Sequence, residues 1–397
     1  MKEVFKAVKV TDRVYWVGAI DWAVRDFHGY LTSRGTTYNA YLVMAEKVTL
    51  IDTVKAPFTN ELLARIGSVI APGRIDYVVS NHSEPDHAGG LADVIRVVKP
   101  EKVFASKMGA KALANLYRIG EVTEVADLDE VSLGDMTITF AETRMCHWPD
   151  SMIGYLHEDK LLFSQDGFGM HLAGYERFAD QLDQALLDAE AAKYYANILL
   201  PLSNFVTKAL DKLNGLNLPL DVLAPDHGPI WRQVPGKIID DYARWARQER
   251  TSKAVVVYGT MWKSTDLMAR AVGEGLSAGG AVTRLMPLSG CHRSDVATEL
   301  LDAGALVVGS PTINNQVFPA LADVLSYVKG LRPKGLIGGA FGSSGWSGEA
   351  VKHIQAALVE MDIEPVSDPV GANYLPTDDD LKRCYDLGMK VAGKMAQ

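Results

Sequence analysis

The chain has 397 residues, 48% of them hydrophobic and 22% charged, with a formal net charge of −9. That length leaves room for two or three domains with sizeable cores, and the composition is ordinary for a globular protein. The acidic balance argues against a nucleic-acid partner. The charged N-terminus MKEVFKAVKVTDRV lacks an apolar core, so no signal peptide is expected in it. No apolar run approaches the roughly 18 residues of a membrane helix, so no membrane association and a cytoplasmic location are expected.

YNAYLVM (38–44) and VTLIDTV (48–54) flank the short turn AEK and predict a hairpin. Further strands are predicted at IDYVV (75–79), KVFAS (102–106), MTITFAETRM (136–145), IGYL (153–156) and KLLFS (160–164). Helical spacing recurs at 60–70, 89–98, 108–117 and 181–197. Strands mixed with helices imply sheets covered by helices. The charged stretch GKIIDDYARWARQERTSK (236–253) then gives way to the apolar run AVVVY (254–258), which places a boundary near residue 250 and domains at 1–250 and 251–397. Beyond it, AVVVY, AVTRLMPL, ALVVGS and KGLIGGAFGS alternate with helices expected at about 265–278, 294–303, 318–329 and 347–360. This alternation predicts a doubly wound parallel sheet, whose ligands sit at the carboxyl ends of the strands.

The stretch SNHSEPDHAGG (80–90) puts His82, Glu84, Asp86 and His87 on one turn between a strand and a helix. Pro85 disfavours helix at Glu84. His147, Asp166 and His227 follow other predicted strands. Packing gives no reason to collect seven ligand-type residues at strand ends. Four imidazoles and three carboxylates are enough for two ions sharing a bridging carboxylate, and the mixed nitrogen and oxygen donors suit iron or manganese. Three cysteines, Cys146, Cys291 and Cys384, are too few for a four-thiolate cluster and odd in number for a disulfide framework.

The segment resembles the metallo-β-lactamase loop H-x-H-x-D-H with Glu84 in the second position. H-x-E-x-D-H followed by His147, Asp166 and His227 resembles the flavodiiron proteins. RDFHGY (25–30), TTYNAYLV (36–43), TRMCHWPDSM (143–152), LLFSQDGFG (161–169) and PDHGPIW (225–231) extend the likeness over almost the whole chain. The resemblance implies an αββα metallo-β-lactamase-like sandwich followed by a flavodoxin-like domain. It implies that His82, Glu84 and His147 hold one iron, that Asp86, His87 and His227 hold the other, and that Asp166 bridges them. By family analogy His28, His171, Tyr194 and Tyr195 lie near the pair, with His28, His171 and Tyr195 taken as candidate catalytic groups. Asp52 reads equally as a support for a metal histidine or as a turn cap.

VVVYGTMWKSTDLMARAV (255–272) reads as strand, polar turn and helix. The KST tripeptide suggests a Walker A loop, but that pattern needs glycine where Trp262 stands. The turn instead resembles the flavodoxin phosphate loop, with Lys263 where relatives commonly carry glycine. The implied FMN-binding residues are Thr260, Met261, Trp262, Lys263, Ser264 and Thr265 on this turn. Pro311, Thr312, Ile313, Asn314 and Asn315 follow on the second loop, and Ala340, Phe341, Gly342, Gly345 and Trp346 on the third. The resemblance further implies electrons from rubredoxin or a similar small donor, oxygen or nitric oxide as substrate, and a head-to-tail homodimer or a dimer of dimers. Two other classes remain open to the residues alone. One is a dizinc hydrolase with an accessory flavodoxin domain, which Glu84 disfavours. The other is a plain electron-transfer module, which the full ligand set disfavours.

Overall fold

The expected hairpin forms, with Tyr41–Val43 antiparallel to Thr49–Ile51. It lies within a seven-stranded sheet ordered Val8–Lys9, Val14–Trp16, Tyr41–Val43, Thr49–Ile51, Tyr77–Ser80, Lys102–Ser106 and Thr123–Val125. A five-stranded sheet follows in chain order: Glu130–Ser132, Thr137–Glu142, Met152–Leu156, Leu161–Gln165 and Val222–Pro225. The computed structural model describes residues 4–233 and 235–397.

Strand side chains alternate between faces, and here both faces are apolar. Ile51, Val79 and Phe104 turn toward Ile138, Phe140, Leu161 and Phe163 of the second sheet. Their neighbours Leu50, Val78 and Val103 turn the other way, against Leu62, Leu91, Val94 and Leu113 of the helices Thr59–Ile66, Leu91–Val98 and Lys107–Tyr117. The outer face of the second sheet packs Ile153, Tyr155 and Leu162 under Leu213 of the helix Ser203–Leu216. The result is an αββα sandwich of metallo-β-lactamase type.

The second part is a parallel sheet. Its strand order is Val282–Pro287, Lys253–Tyr258, Ala305–Pro311, Ile337–Ser344 and Glu364–Pro365, with Val370–Asn373 also pairing Ile337–Ser344. In chain order that is 2-1-3-4-5, the flavodoxin-like arrangement. Helices Arg293–Leu300, Pro319–Leu331 and Glu349–Glu360 cover one face, while Ser264–Ala278 and Asp378–Met395 cover the other. The last helix is not among the predicted elements. Its start is a capping box in which Thr377 Oγ1 accepts from the Asp380 amide and the Asp380 carboxylate accepts from the Thr377 amide.

Ser264–Ala278 and Asp378–Met395 approach backbone to backbone. A Cβ on Gly275 would sit 2.0 Å from the Tyr385 carbonyl oxygen, and one on Gly388 would sit 2.2 Å from that of Val272. Gly275→Ala should therefore force the helices apart and cost about 1–3 kcal/mol. Denaturant unfolding of the variant measures this, and an unchanged midpoint would refute it.

By compactness the chain divides into Met1–Tyr194 with Asn204–Ala243, and Tyr195–Ser203 with Arg244–Gln397. No signal in the sequence marks the excursion of Tyr195–Ser203. It begins as a π-helical turn, Tyr195–Leu199. Asn197 there accepts from the Tyr327 hydroxyl at 2.8 Å and donates to the Ser294 carbonyl at 3.2 Å.

Candidate metal centre and cofactor cavity

Each of the seven expected metal residues lies at or beyond a strand end. Tyr77–Ser80 delivers His82, Leu161–Gln165 delivers Asp166, and Val222–Pro225 delivers His227. His147 sits in the loop joining Thr137–Glu142 to Met152–Leu156. Glu84 is extended, and Pro85 opens a short helix, Pro85–Ala88, that carries Asp86 and His87. The turn therefore divides its ligand-type residues between an extended arm and a helical one.

The seven fall into two groups, His82, Glu84, His147 and Asp166, and Asp86, His87 and His227, with candidate donor atoms within 4.8 Å of one another in each. Glu84 Oε2 is 3.1 Å from both His82 Nε2 and His147 Nε2. His227 Nε2 is 3.2 Å from Asp86 Oδ2, and His87 Nε2 is 3.4 Å from Asp86 Oδ1. Asp166 joins the groups. Its Oδ2 faces His82 and His147 at 3.4 and 3.0 Å, while its Oδ1 faces His87 and His227 at 3.0 and 3.4 Å.

Both Asp86 oxygens, His87 Nε2 and Asp166 Oδ1 are buried with no hydrogen-bond partner among the described residues. Converging orphaned acceptors are costly unless a cation satisfies them. The electrostatics agree. Burial alone would raise the carboxyls of Glu84 and Asp166, yet the surrounding histidines hold both well below the usual range. Burial likewise opposes a charged His147, but Asp166 and Glu84 raise it to about 9. Three carboxylates thus demand positive charge, which two divalent ions would supply in place of protons. Four imidazoles and three carboxylates fit two such ions.

Behind the donors stand further buried polar groups. His82 Nδ1 lies 3.5 Å from Asp150 Oδ1, which is itself anchored because Asp150 Oδ2 accepts from the Ser83 amide at 2.6 Å. His87 Nδ1 lies 3.6 Å from Asp226 Oδ2. His227 Nδ1 donates to the Thr37 carbonyl at 2.6 Å. Asp52 accepts from the amide and the side chain of Asn81, both at 2.7 Å, and so sets the backbone entering His82. Asp150 and Asp226 are not among the expected site residues. Their only mark in the sequence is proximity, in HWPD and PDH, to histidines at strand ends.

The second unit carries a cavity of about 690 Å³ at the carboxyl ends of its strands, a volume suited to a cofactor. Thr260, Met261, Trp262, Ser264 and Thr265 line it from the first loop, Pro311, Thr312, Asn314 and Asn315 from the second, and Gly345 and Trp346 from the third. The 15-residue helix Ser264–Ala278 opens on it without a side-chain cap. Thr260 Oγ1 is buried there without a partner. An open helix start beside a free hydroxyl is a cradle for a phosphate.

Comparison with known proteins fits this geometry. A model described as ODP family beta lactamase matches residues 36–228, and one described as flavodoxin matches residues 256–388. The chain is 46% identical over 394 residues to a protein of Moorella thermoacetica named nitric oxide reductase, spanning 98% of this chain and 99% of that one. It is 44% identical over 392 residues to the rubredoxin-oxygen oxidoreductase of Megalodesulfovibrio gigas, spanning 98% of each. The crystal structure of the flavodiiron protein from Giardia intestinalis matches it with a TM-score of 0.95 at 34% identity, over 98% of this chain and 97% of that one.

The chain belongs to the flavodiiron protein family.

As a flavodiiron protein it is an oxidoreductase. Several expected residues take other places than the family analogy implies. Tyr195 is buried at the π-helical turn, its hydroxyl 3.1 Å from Ser203 Oγ and its ring 5.4 Å from that of Trp245. Its neighbour Tyr194 instead faces the metal group, with its ring 5.1 Å from that of His171 and 6.2 Å from that of His227. A helix turns about 100° per residue, so adjacent tyrosines cannot share a face. His171 is buried, with its ring 4.6 Å from that of His227. His28 is half-exposed and holds Nε2 3.1 Å from Glu84 Oε1.

In the flavodoxin-like unit Ala340 and Phe341 are buried inside the strand Ile337–Ser344, and neither lines the cavity. Gly342 meets the Ser310 backbone instead, where a Cβ would lie 2.0 Å from its carbonyl oxygen. Ile313 and Lys263 are also absent from the lining. Lys263 precedes the helix with φ 71°. Ser343, Ser344, Ser347, Tyr374 and Leu375 line the cavity in addition. Tyr374 and Leu375 follow the strand Val370–Asn373, which the sequence does not reveal.

Proposed function

We propose that the chain takes electrons from a rubredoxin-type donor, holds them on FMN, and passes them to a diiron centre that reduces dioxygen to water, nitric oxide to nitrous oxide, or both. The observation that carries the reading is Asp166, whose two oxygens each face a different pair of histidines. In this reading His82, Glu84 and His147 hold one iron, Asp86, His87 and His227 the other, and Asp166 both. When bound, two ferrous ions and a reduced flavin together supply the four electrons that dioxygen needs, or the two that a pair of nitric oxide molecules needs.

The residues set access and proton supply. His28 Nε2 stands beside Glu84 on the half-exposed side, where it can exchange a proton with water. Phe27, His171 and Tyr194 pack around His227, and Phe27 also stacks on His28 at 4.3 Å. Thr260, Ser264 and Thr265 hold the flavin phosphate with hydroxyls and the amides of the helix start. Trp346, 91% exposed at the cavity rim, offers a ring to the flavin. Glu84 and a flavin domain both weigh against the dizinc hydrolase.

We assign the division of labour to 1–250 and 251–397. Two copies assemble head to tail, so that one subunit's flavin faces its partner's metal pair. Trp262, Trp346, Tyr374 and Leu375, all exposed at the rim, are apolar surface that such an arrangement would cover. Among the described residues no helix is long and apolar enough to cross a membrane.

The test is anaerobic turnover of iron-loaded protein with reduced rubredoxin, titrated separately with oxygen and with nitric oxide. Turnover of either gas supports the proposal, and the ratio assigns the substrate. Iron- and FMN-replete protein that turns over neither would refute it. Metal removal gives an independent check. Ions at about 1,000 times their Kd stabilise by ~4 kcal/mol. At ~2–4 °C per kcal/mol for a unit of this size, chelation should lower its unfolding midpoint by about 10 °C. A calorimetric scan that does not move on chelation would contradict a bound metal pair.

A further inference from the structure

His227 lies on a turn, Asp226–Gly228, just past the strand Val222–Pro225, with the Asp226 amide donating to the Gln165 carbonyl at 2.8 Å. Three carbonyls at this turn are met by one residue that is distant in sequence and lies between the strands Thr36–Tyr38 and Tyr41–Val43. Asn39 is fully buried. Its Nδ2 donates to the Pro225 carbonyl at 2.7 Å and to the Gly228 carbonyl at 3.0 Å, while its backbone amide donates to the Asp226 carbonyl at 2.7 Å. Asn39 thus holds the backbone on both sides of the histidine, beside the Tyr41 hydroxyl, which donates to the Pro225 carbonyl at 2.6 Å, and Thr37 Oγ1, which accepts from the Gly228 amide at 2.8 Å.

The orientation of the amide is settled by chemistry. Trp16 Nε1 lies 2.8 Å from Asn39 Oδ1, and an indole nitrogen can only donate. The oxygen must therefore face Trp16, which leaves both Nδ2 hydrogens for the two carbonyls. The side chain thus makes three hydrogen bonds and the backbone amide a fourth. Two guanidiniums in turn lie over Trp16, with Arg65 4.7 Å and Arg177 4.5 Å from its ring centroid. Both arginines are buried, so the indole has little freedom to turn away. Room for this approach depends on Gly18, where a Cβ would lie 2.8 Å from the Asn39 Cα.

We infer that Asn39, oriented by Trp16, is a positioning residue that aims His227 at the second metal position, the one shared with Asp86 and His87. The inference rests on the proposed role of His227 as a metal ligand. Its signature is selective: loss of the clasp loosens one ion of the pair and leaves the other ion and the flavin in place. A residue needed only for folding would affect all three or none.

Asn39→Asp keeps the volume but turns acceptor oxygen toward two carbonyl oxygens, and it cannot supply two donors. Iron(II) titration of the flavin-loaded protein under anaerobic conditions should show two sites in the parent chain. In Asn39→Asp one of them should weaken by about ten- to a hundredfold, the range seen when a ligand's supporting partner is removed. Trp16→Phe removes only the donor that orients the amide and should weaken the same site by a smaller factor. His227→Gln separates the two ideas. If it binds two ions as tightly as the parent, the assignment of His227 itself fails. If it loses one ion while Asn39→Asp and Trp16→Phe both keep two at parental affinity, the clasp fails and the ligand assignment stands. Equal weakening of both sites in Asn39→Asp, or loss of flavin with the metal, would also overturn the inference. If Asn39→Asp does not fold, Trp16→Phe decides alone: weakening of one site supports the clasp, and two parental affinities refute it.

Discussion

Replacing Asp166 with alanine should leave the chain unable to hold a metal pair and should lower turnover by at least about a thousandfold, on the order of 4 kcal/mol of lost transition-state stabilisation. The reason is geometric. Among the described residues Asp166 is the one carboxylate whose oxygens face both groups, with contacts of 3.0–3.4 Å to four imidazole nitrogens. Without it each remaining set has three side chains, and nothing fixes the separation of the ions. Four inward-facing imidazoles would also lose the anion that balances them. Asp166→Asn should do little better. It keeps one acceptor oxygen but turns an NH₂ group toward two nitrogens whose lone pairs the metal needs. Metal analysis with anaerobic turnover measures the effect. An Asp166→Ala protein that carries two irons and more than a tenth of the activity would remove the bridging role.

The second large effect belongs to the other unit. Thr260→Asp should yield a protein that retains both irons but loses flavin affinity by at least about a hundredfold. Thr260 Oγ1 is buried beside the open start of Ser264–Ala278, where the phosphate is proposed to sit. A carboxylate there would stand within about 4 Å of the dianion. At an effective dielectric constant of ~20 two unit charges at that distance repel by ~4 kcal/mol, more than a hundredfold in affinity. Thr260→Val deletes only the hydroxyl and should cost about tenfold. Flavin absorbance after dialysis reports the loss, and metal content confirms that the first unit is intact. Full flavin occupancy in Thr260→Asp would move the phosphate elsewhere in the cavity.

Much of this protein was legible in one dimension because its chemistry is attached to the ends of strands. His82, Glu84, Asp86 and His87 are confined to one turn by Pro85, and connectivity alone keeps them close. The three other ligand-type residues each follow an apolar run that could only be a strand. The phosphate turn is readable for the same reason, since strand, polar turn and helix follow one another without interruption. The doubly wound parallel sheet follows from the alternation of strand and helix patterns, whereas the αββα sandwich is what the family resemblance implies.

What the tertiary structure alone decided is which neighbour faces the site. Tyr194 and Tyr195 are adjacent and identical, yet one packs on His171 and the other turns to Ser203 at a π-helical turn. Ala340 and Phe341 lie in a strand that reaches the cavity only at its last residues, Ser343 and Ser344. Asp150, Asp226 and Asn39 stand behind the ligand-type histidines in positions that no sequence spacing encodes; Asn39 and Gly228 are 189 residues apart. The motif residues were set by the chain's own covalent geometry over a few positions. Their supports were set by which buried polar groups must find partners when two sheets close on each other, and that is known only once the sheets are packed.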